Sequence, residues 1–170
     1  MNIVLTAINS SFTHINLAVR YLKKAAQNKG FDVKILEFNI NMRFENIFRE
    51  IIESRADVLC FSVYIWNIEY VLKIAKEYKK LFPKCKIILG GPEVTFEYKE
   101  IIKEPFTDYI ILGEGENVFI ELLKIIENNE SCDETDFIVT KNATKKKIAK
   151  SDILAFDRIY SSEEIENKII

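Results

Sequence analysis

Five short apolar runs, at residues 3–7, 33–37, 58–63, 86–89 and 109–112, alternate with five segments whose apolar positions recur at helical spacing. That alternation predicts successive βαβ units. The runs are apolar at adjacent as well as alternate positions, so they read as central parallel strands covered by helices on both faces. The first helix presents Leu17, Ala18, Tyr21, Leu22 and Ala25 as one stripe and stops at Gly30, a residue suited to the left-handed turn that ends helices. The second covers 44–55. The third takes Asn67 as its N-cap, carries Ile68, Val71, Leu72 and Ala75, and ends before Pro83. A short fourth helix is expected over 96–103. The fifth shows Val118, Phe119, Leu122, Leu123 and Ile126 and fades into Asn128-Asn129. The expected fold class is therefore α/β: a doubly wound, five-stranded parallel sheet of flavodoxin-like or Rossmann-like type with strand order 2-1-3-4-5.

After residue 130 the alternation breaks. A strand-like 137–140, a turn at Asn142 and Lys145-Lys146-Lys147 read as a small hairpin, and 151–170 reads as a linker. The expected organisation is an α/β domain over 1–130 followed by a hairpin and linker over 131–170. A chain of 170 residues with 48% hydrophobic content buries one substantial core and leaves no room for a second full catalytic domain. Its 24 basic and 26 acidic residues are interspersed and leave a formal charge of −2, which disfavours a nucleic-acid partner. No apolar stretch approaches the roughly 20 residues of a membrane span, and no signal-like start precedes the first strand, so the chain is expected to be cytoplasmic and away from membranes. Cys60, Cys85 and Cys132 stand far apart, in a spacing that fits buried thiols rather than disulfides or a metal cluster.

Chemistry enters with two glycine turns, Gly90-Gly91-Pro92-Glu93-Val94-Thr95 and Gly113-Glu114-Gly115-Glu116, each directly after an apolar run. Both lie at the carboxyl ends of predicted parallel strands, the edge where open α/β sheets bind ligands. A dinucleotide site would need G-x-G-x-x-G after the first strand, but that loop reads Ala7-Ile8-Asn9-Ser10-Ser11-Phe12-Thr13-His14, with neither glycine nor a Walker lysine. A phospho-accepting receiver would need carboxylates after the first strand and at the end of the third, which here closes on Phe61-Ser62-Val63-Tyr64. FMN stays open as an alternative, because Ser10, Ser11 and Thr13 could cradle one phosphate, though without glycine the backbone cannot wrap it closely. Tyr64, Ile65 and Trp66 place three large apolar groups in a loop at the same edge, suited to a flat apolar ligand or a partner surface.

Taken in order, the segment from Asn9 to Ala18, the third-strand segment from Ala56 to Val63, the turn from Leu89 to Thr95 and the segment from Asp108 to Glu116 resemble the N-terminal cobalamin-binding domains of B12-dependent radical-SAM enzymes. The likeness covers most of residues 1–125. It implies a base-off cobalamin whose nucleotide tail enters a slot beside the strand ends, beneath the corrin. A slot for a flat benzimidazole needs walls with little side chain, and Ser62, Gly90 and Gly91 answer that need. The resemblance extends the candidate cofactor contacts to Asn9, Ser10, Ser11, His14, Tyr64, Trp66, Pro92, Glu93, Gly113, Glu114, Gly115 and Glu116. It implies no catalytic residue in this segment. On this reading Gly91→Leu should fill the path of the tail and abolish binding without unfolding the domain.

The sequence departs from the best-known cobalamin motif, Asp-x-His-x-x-Gly, in which the histidine ligates cobalt and the aspartate orients the ring. Phe12 stands at the aspartate position and Leu17 at the glycine position, so His14, the sole histidine, is either a cobalt ligand or a helix-start histidine bonded to backbone or water. Glu93, Glu114 and Glu116 read equally as ligand contacts and as carboxylates favoured at helix starts. The chain also lacks the C-x3-C-x2-C triad that holds a radical-SAM [4Fe–4S] cluster. The resemblance therefore implies an N-terminal piece of a larger methyltransferase or related radical enzyme, with S-adenosylmethionine and the cluster bound by a following radical-SAM domain. Two alternatives stand beside it: a non-catalytic interaction domain without cofactor, and an FMN-binding electron-transfer domain.

Overall fold

The computed structural model describes residues 1–12, 15–132 and 135–143. Five parallel strands, β1 (Ile3–Asn9), β2 (Val33–Asn39), β3 (Val58–Ser62), β4 (Lys86–Gly90) and β5 (Tyr109–Ile111), form one sheet in the order β2-β1-β3-β4-β5. They alternate with α1 (Leu17–Gln27), α2 (Phe44–Ser54), α3 (Ile68–Leu81), α4 (Pro92–Ile101) and α5 (Glu116–Asn128). The expected fold class and strand order therefore hold.

A sixth strand corrects the strand count. β6 (Ile138–Val139) joins the far edge antiparallel to β5, pairing Ile110 with Val139 and Ile111 with Ile138. The segment expected to start a hairpin thus adds a strand to the sheet, covering backbone groups that β5 would otherwise leave unpaired. The rest of the expected hairpin, including Lys145 to Lys147, and the expected linker lie outside the described residues.

Side chains of opposite parity along the strands feed two cores. Ile3, Leu5 and Ala7 of β1, with Val58 and Cys60 of β3, pack under α1 and α5 through Val19, Phe119, Leu122 and Leu123. Val4 and Ile8, with Leu59 and Phe61, pack under α2, α3 and α4 through Ile47, Ile51, Val71, Ile74 and Val94. Burial on both faces explains why the strands read as unbroken apolar runs.

Two local expectations change. The fourth helix starts at Pro92 rather than near residue 96, because proline has its torsion preset and no amide to satisfy at the first helical position. Asn67 occupies the N-cap of α3 but makes no side-chain cap bond. It is fully buried, and its amide donates to the carbonyls of Ile8 at 2.9 Å and Ser62 at 3.1 Å, while Oδ1 accepts from the Tyr64 N–H at 2.9 Å. It therefore ties the ends of β1 and β3 to the loop between β3 and α3.

Candidate functional site

In this strand order the chain leaves β1 toward β2 on one side and builds outward through β3 on the other, and the crevice above the strand ends is where such sheets take ligands. A cavity of about 530 Å³ opens there. Its floor is the α1/α5 face of the sheet, with Leu5, Cys60 and Ile88, and its walls include Val19 and Leu22 of α1 and Phe119 of α5. Ser62, Tyr64, Gly90, Gly91, Pro92 and residues 113–116 form the rest of the lining, so both glycine turns converge on one cavity. Burial pushes the Cys60 thiol well above its ordinary value, with Cys85 adding to the shift, so the floor carries no charge there.

Register explains the convergence. Ala7 pairs with Ser62, Ser62 with Gly90 and Gly90 with Ile111, which puts the ends of β3, β4 and β5 level, while β1 runs on to Asn9. The two glycines of the first turn have different jobs. A Cβ at Gly90 would meet only the Ile111 Cβ at 4.0 Å, an ordinary contact. Gly91 has φ +121°, and a Cβ there would lie 2.4 Å from the Val63 carbonyl oxygen. Gly90 therefore keeps the wall thin, whereas Gly91 lets two backbones cross.

Around the mouth, Tyr64 and Trp66 stack with ring centroids 4.5 Å apart and planes within 6°. The Trp66 indole N–H donates to the Ile8 carbonyl at 3.2 Å, which fixes the pair against the end of β1. Ile65 is 75% exposed, Phe96 85% and Phe12 80%, so the strand-end edge carries a ring of apolar groups facing outward.

Not every sequence candidate lines the cavity. Asn9, Ser10, Ser11, Trp66 and Glu93 lie outside its lining, and His14 lies outside the described residues. Asn9 instead belongs to a buried network: its amide donates to Glu37 Oε1 at 2.7 Å, and the Asn16 N–H donates to the same oxygen at 2.8 Å. Arg20 Nη2 donates to Glu37 Oε2 at 2.8 Å, and Nη1 to the Asn16 carbonyl at 3.2 Å. Asn16 also caps α1 by accepting from Val19 N–H and reaches Ser62 Oγ at 3.4 Å. Burial alone would raise the Glu37 pKa, but the bonds from Arg20, Asn16 and Asn9 outweigh it and hold the carboxyl below the ordinary range. Sequence reasoning passes over this network and over the cavity floor. A signal for the network was present, an arginine within the first helix and a glutamate within an apolar strand, each out of keeping with its surroundings.

Known proteins share this fold. The family model described as B12 binding domain matches residues 3–123. Hopanoid C-3 methylase of Methylococcus capsulatus (strain ATCC 33009 / NCIMB 11132 / Bath) is 27% identical over 127 residues, which are 73% of this chain and 24% of that protein. The cobalamin-dependent radical SAM methyltransferase TokK of Streptomyces tokunonensis is 40% identical over 68 residues, 39% of this chain and 10% of that protein. The chain thus spans about a quarter or less of these curated relatives. Among solved structures, the radical S-adenosylmethionine methyltransferase TsrM from Kitasatospora setae, with tryptophan and a SAM analog bound, superposes with a TM-score of 0.69 at 18% identity, covering 82% of this chain and 28% of that one. OxsB, a cobalamin-dependent S-adenosylmethionine radical enzyme with aqua-cobalamin and S-adenosylmethionine bound, superposes with a TM-score of 0.69 at 18% identity, covering 88% of this chain and 22% of that one.

Proposed function

We propose that this chain, which belongs to the B12 binding domain family, holds cobalamin base-off, with the nucleotide tail in the cavity between α1 and α5 and the corrin over the apolar edge around Tyr64 and Trp66. The observation that carries the reading is the cavity itself: apolar in its floor, thin-walled at Ser62 and Gly90, and placed at the strand-end switch point. The residues fit the group, because a flat base needs this narrow apolar space and the corrin needs the exposed apolar rim. Tyr64, Trp66, Gly90, Pro92 and residues 113–116 are the groups that would hold it, with Asn9, Ser10, Ser11 and Glu93 near the same edge; His14 lies outside the described residues. Bound there, cobalamin supplies a cobalt centre that carries a methyl group or an electron. The chain's own part is to bind, orient and shield it.

Charge argues against the FMN alternative. Among the described residues the lining contains no Lys or Arg, and its charged members are Glu114 and Glu116. A phosphate dianion would enter without a partner and against two carboxylates.

The larger role follows from the relatives and is likewise proposed. The three cysteines of this sequence cannot supply C-x3-C-x2-C, so the [4Fe–4S] cluster and S-adenosylmethionine belong to a radical-SAM domain of the whole protein. The reaction is methyl transfer or a related radical reaction. Among the described residues no helix is long and apolar enough to cross a membrane, and all three cysteines are buried thiols. We place the protein in the cytoplasm, whose reducing conditions suit such thiols.

Titration of the chain with hydroxocobalamin and, separately, FMN tests the cofactor. Trp66, the single tryptophan, sits beside the mouth and reports by fluorescence, while the visible spectrum reports the cobalt. Saturable binding of cobalamin with a base-off shift is expected, and saturation by FMN alone would overturn the reading.

The wall is tested at Gly90. A side chain fits there at its root, so Gly90→Leu should stay folded while its outer carbons occupy the slot. Cobalamin affinity is expected to fall at least about tenfold, equivalent to about 1.4 kcal/mol. Unchanged affinity would remove Gly90 from the seat.

A further inference from the structure

We propose that the cavity chooses its cobamide by the polarity of the lower base: it takes benzimidazolyl and phenolyl cobamides and discriminates against purinyl ones. This rests on the cobalamin reading above and names the class of cofactor within it. The surface that the cavity opens is mostly carbon, supplied by Ala18 and Leu22 of α1, Ile111, Phe119 and the residues of the floor. Size does not separate the candidates, since a benzimidazole and a purine are both flat bicyclic bases that about 530 Å³ accommodates. Polarity separates them. A purine brings three free ring nitrogens and an exocyclic amine, a benzimidazole one free ring nitrogen, and a phenol joined through its oxygen no nitrogen at all. Each polar atom taken out of water without a partner weakens binding.

The side-chain donors of the lining are few. Ser62 stands two residues beyond Cys60 on β3, so it faces the cavity side of the sheet, and it keeps 8% of its surface open. Asn16 spends its Oδ1 on the Val19 N–H, which turns its Nδ2 to Ser62 and makes Ser62 Oγ the acceptor at 3.4 Å. No described residue accepts the Ser62 proton, so it remains for the ligand. Thr95 Oγ1 donates to the Gly91 carbonyl at 2.9 Å and is spent. Tyr64 lies at the mouth, stacked on Trp66, and the carboxylates of Glu114 and Glu116 give nothing to a ring nitrogen. One hydroxyl proton thus meets the single free nitrogen of a benzimidazole and leaves two of a purine's three bare.

The chain is titrated with hydroxocobalamin, p-cresolylcobamide, adeninylcobamide and hydroxycobinamide, the last lacking phosphate, ribose and base. Dimethylbenzimidazole holds cobalt more strongly than adenine does and p-cresol not at all, so a preference for both over adenine cannot come from detaching the base. Both should bind at least about tenfold more tightly than adeninylcobamide. Adeninylcobamide bound as tightly as either would overturn the proposal. Ser62→Ala should weaken hydroxocobalamin about fivefold and leave p-cresolylcobamide within about twofold of wild type. Equal losses for both, or none, would overturn the role given to the hydroxyl. Hydroxycobinamide reports the corrin alone and should bind more weakly than p-cresolylcobamide. Four equal affinities would instead show that no base enters the cavity, and a chain that takes up none of the four would overturn the cobalamin reading itself, so the failures are told apart.

Discussion

Glu37→Ala is expected to cost about 3–5 kcal/mol of folding stability, the loss seen when one partner of a buried ion pair is removed. Its partner Arg20 is 5% exposed, and Glu37 itself is 14% exposed at the side chain. With the carboxylate gone, the guanidinium stays in the core without its counter-charge, and the Asn9 amide and Asn16 N–H lose the acceptor they share. Glu37→Gln should fall between the two, since it keeps the shape and one acceptor but not the charge. The pair also sets a pH dependence. The folded pKa of Glu37 lies below its ordinary value of 4.5, so the network's contribution is complete above about 4.5 and is lost as pH falls through the lowered folded value. Urea unfolding between pH 7 and pH 3 checks both points. Wild type should lose stability in acid, and the alanine variant should show a smaller part of that loss. An alanine variant within about 1 kcal/mol of wild type at pH 7 would refute the account.

The second large effect is expected at Gly91. Its φ of +121° and ψ of 172° lie in a region essentially reserved for glycine, where another residue carries about 1–3 kcal/mol of backbone strain. The added Cβ of Gly91→Ala would also stand 2.4 Å from the Val63 oxygen and 2.9 Å from its nitrogen. Val63 cannot easily retreat, because its N–H is bonded to the Gly90 carbonyl at 2.7 Å. We expect a loss of about 3 kcal/mol or more, read as a lower midpoint of thermal or denaturant unfolding. Gly90→Ala should cost less than about 1 kcal/mol by comparison, since its Cβ meets only an ordinary contact. Matching stabilities of the two alanine variants would contradict this division. Its consequence corrects the expectation drawn from sequence: Gly91→Leu would disturb the fold before it could report on the slot, and Gly90 is the position at which to test the slot.

These cases show what was legible. The parallel strands, their order and the strand-end site follow from local signals: runs apolar on both faces, helical stripes, and glycine turns directly after strands. The glycine turns pointed to Gly90, Gly91, Pro92 and residues 113–116, while Tyr64 came from the apolar loop and Ser62 from the family resemblance; all of them line the cavity. A chain carries such signals within a few residues, and backbone sterics and the periodicity of each element make them readable without long-range knowledge.

What lies between distant segments was not readable. Leu5, Cys60, Ile88 and Phe119 look like ordinary core residues until the register levels their strands and α1 and α5 leave a gap above them. Arg20 and Glu37 are 17 residues apart and become partners only because β2 pairs beside β1 under α1. Asn67 looks like a cap until its amide meets the carbonyls of Ile8 and Ser62 across two strands. Even β6, two residues long, exists as a strand because β5 offers it an edge. The sequence by itself determined the elements, their order and the edge at which the cavity opens, since each is set by neighbouring residues. The tertiary structure alone decided the shape of the cavity, the partner of each buried charge and which glycine is a wall, because these depend on distances between atoms far apart in the chain.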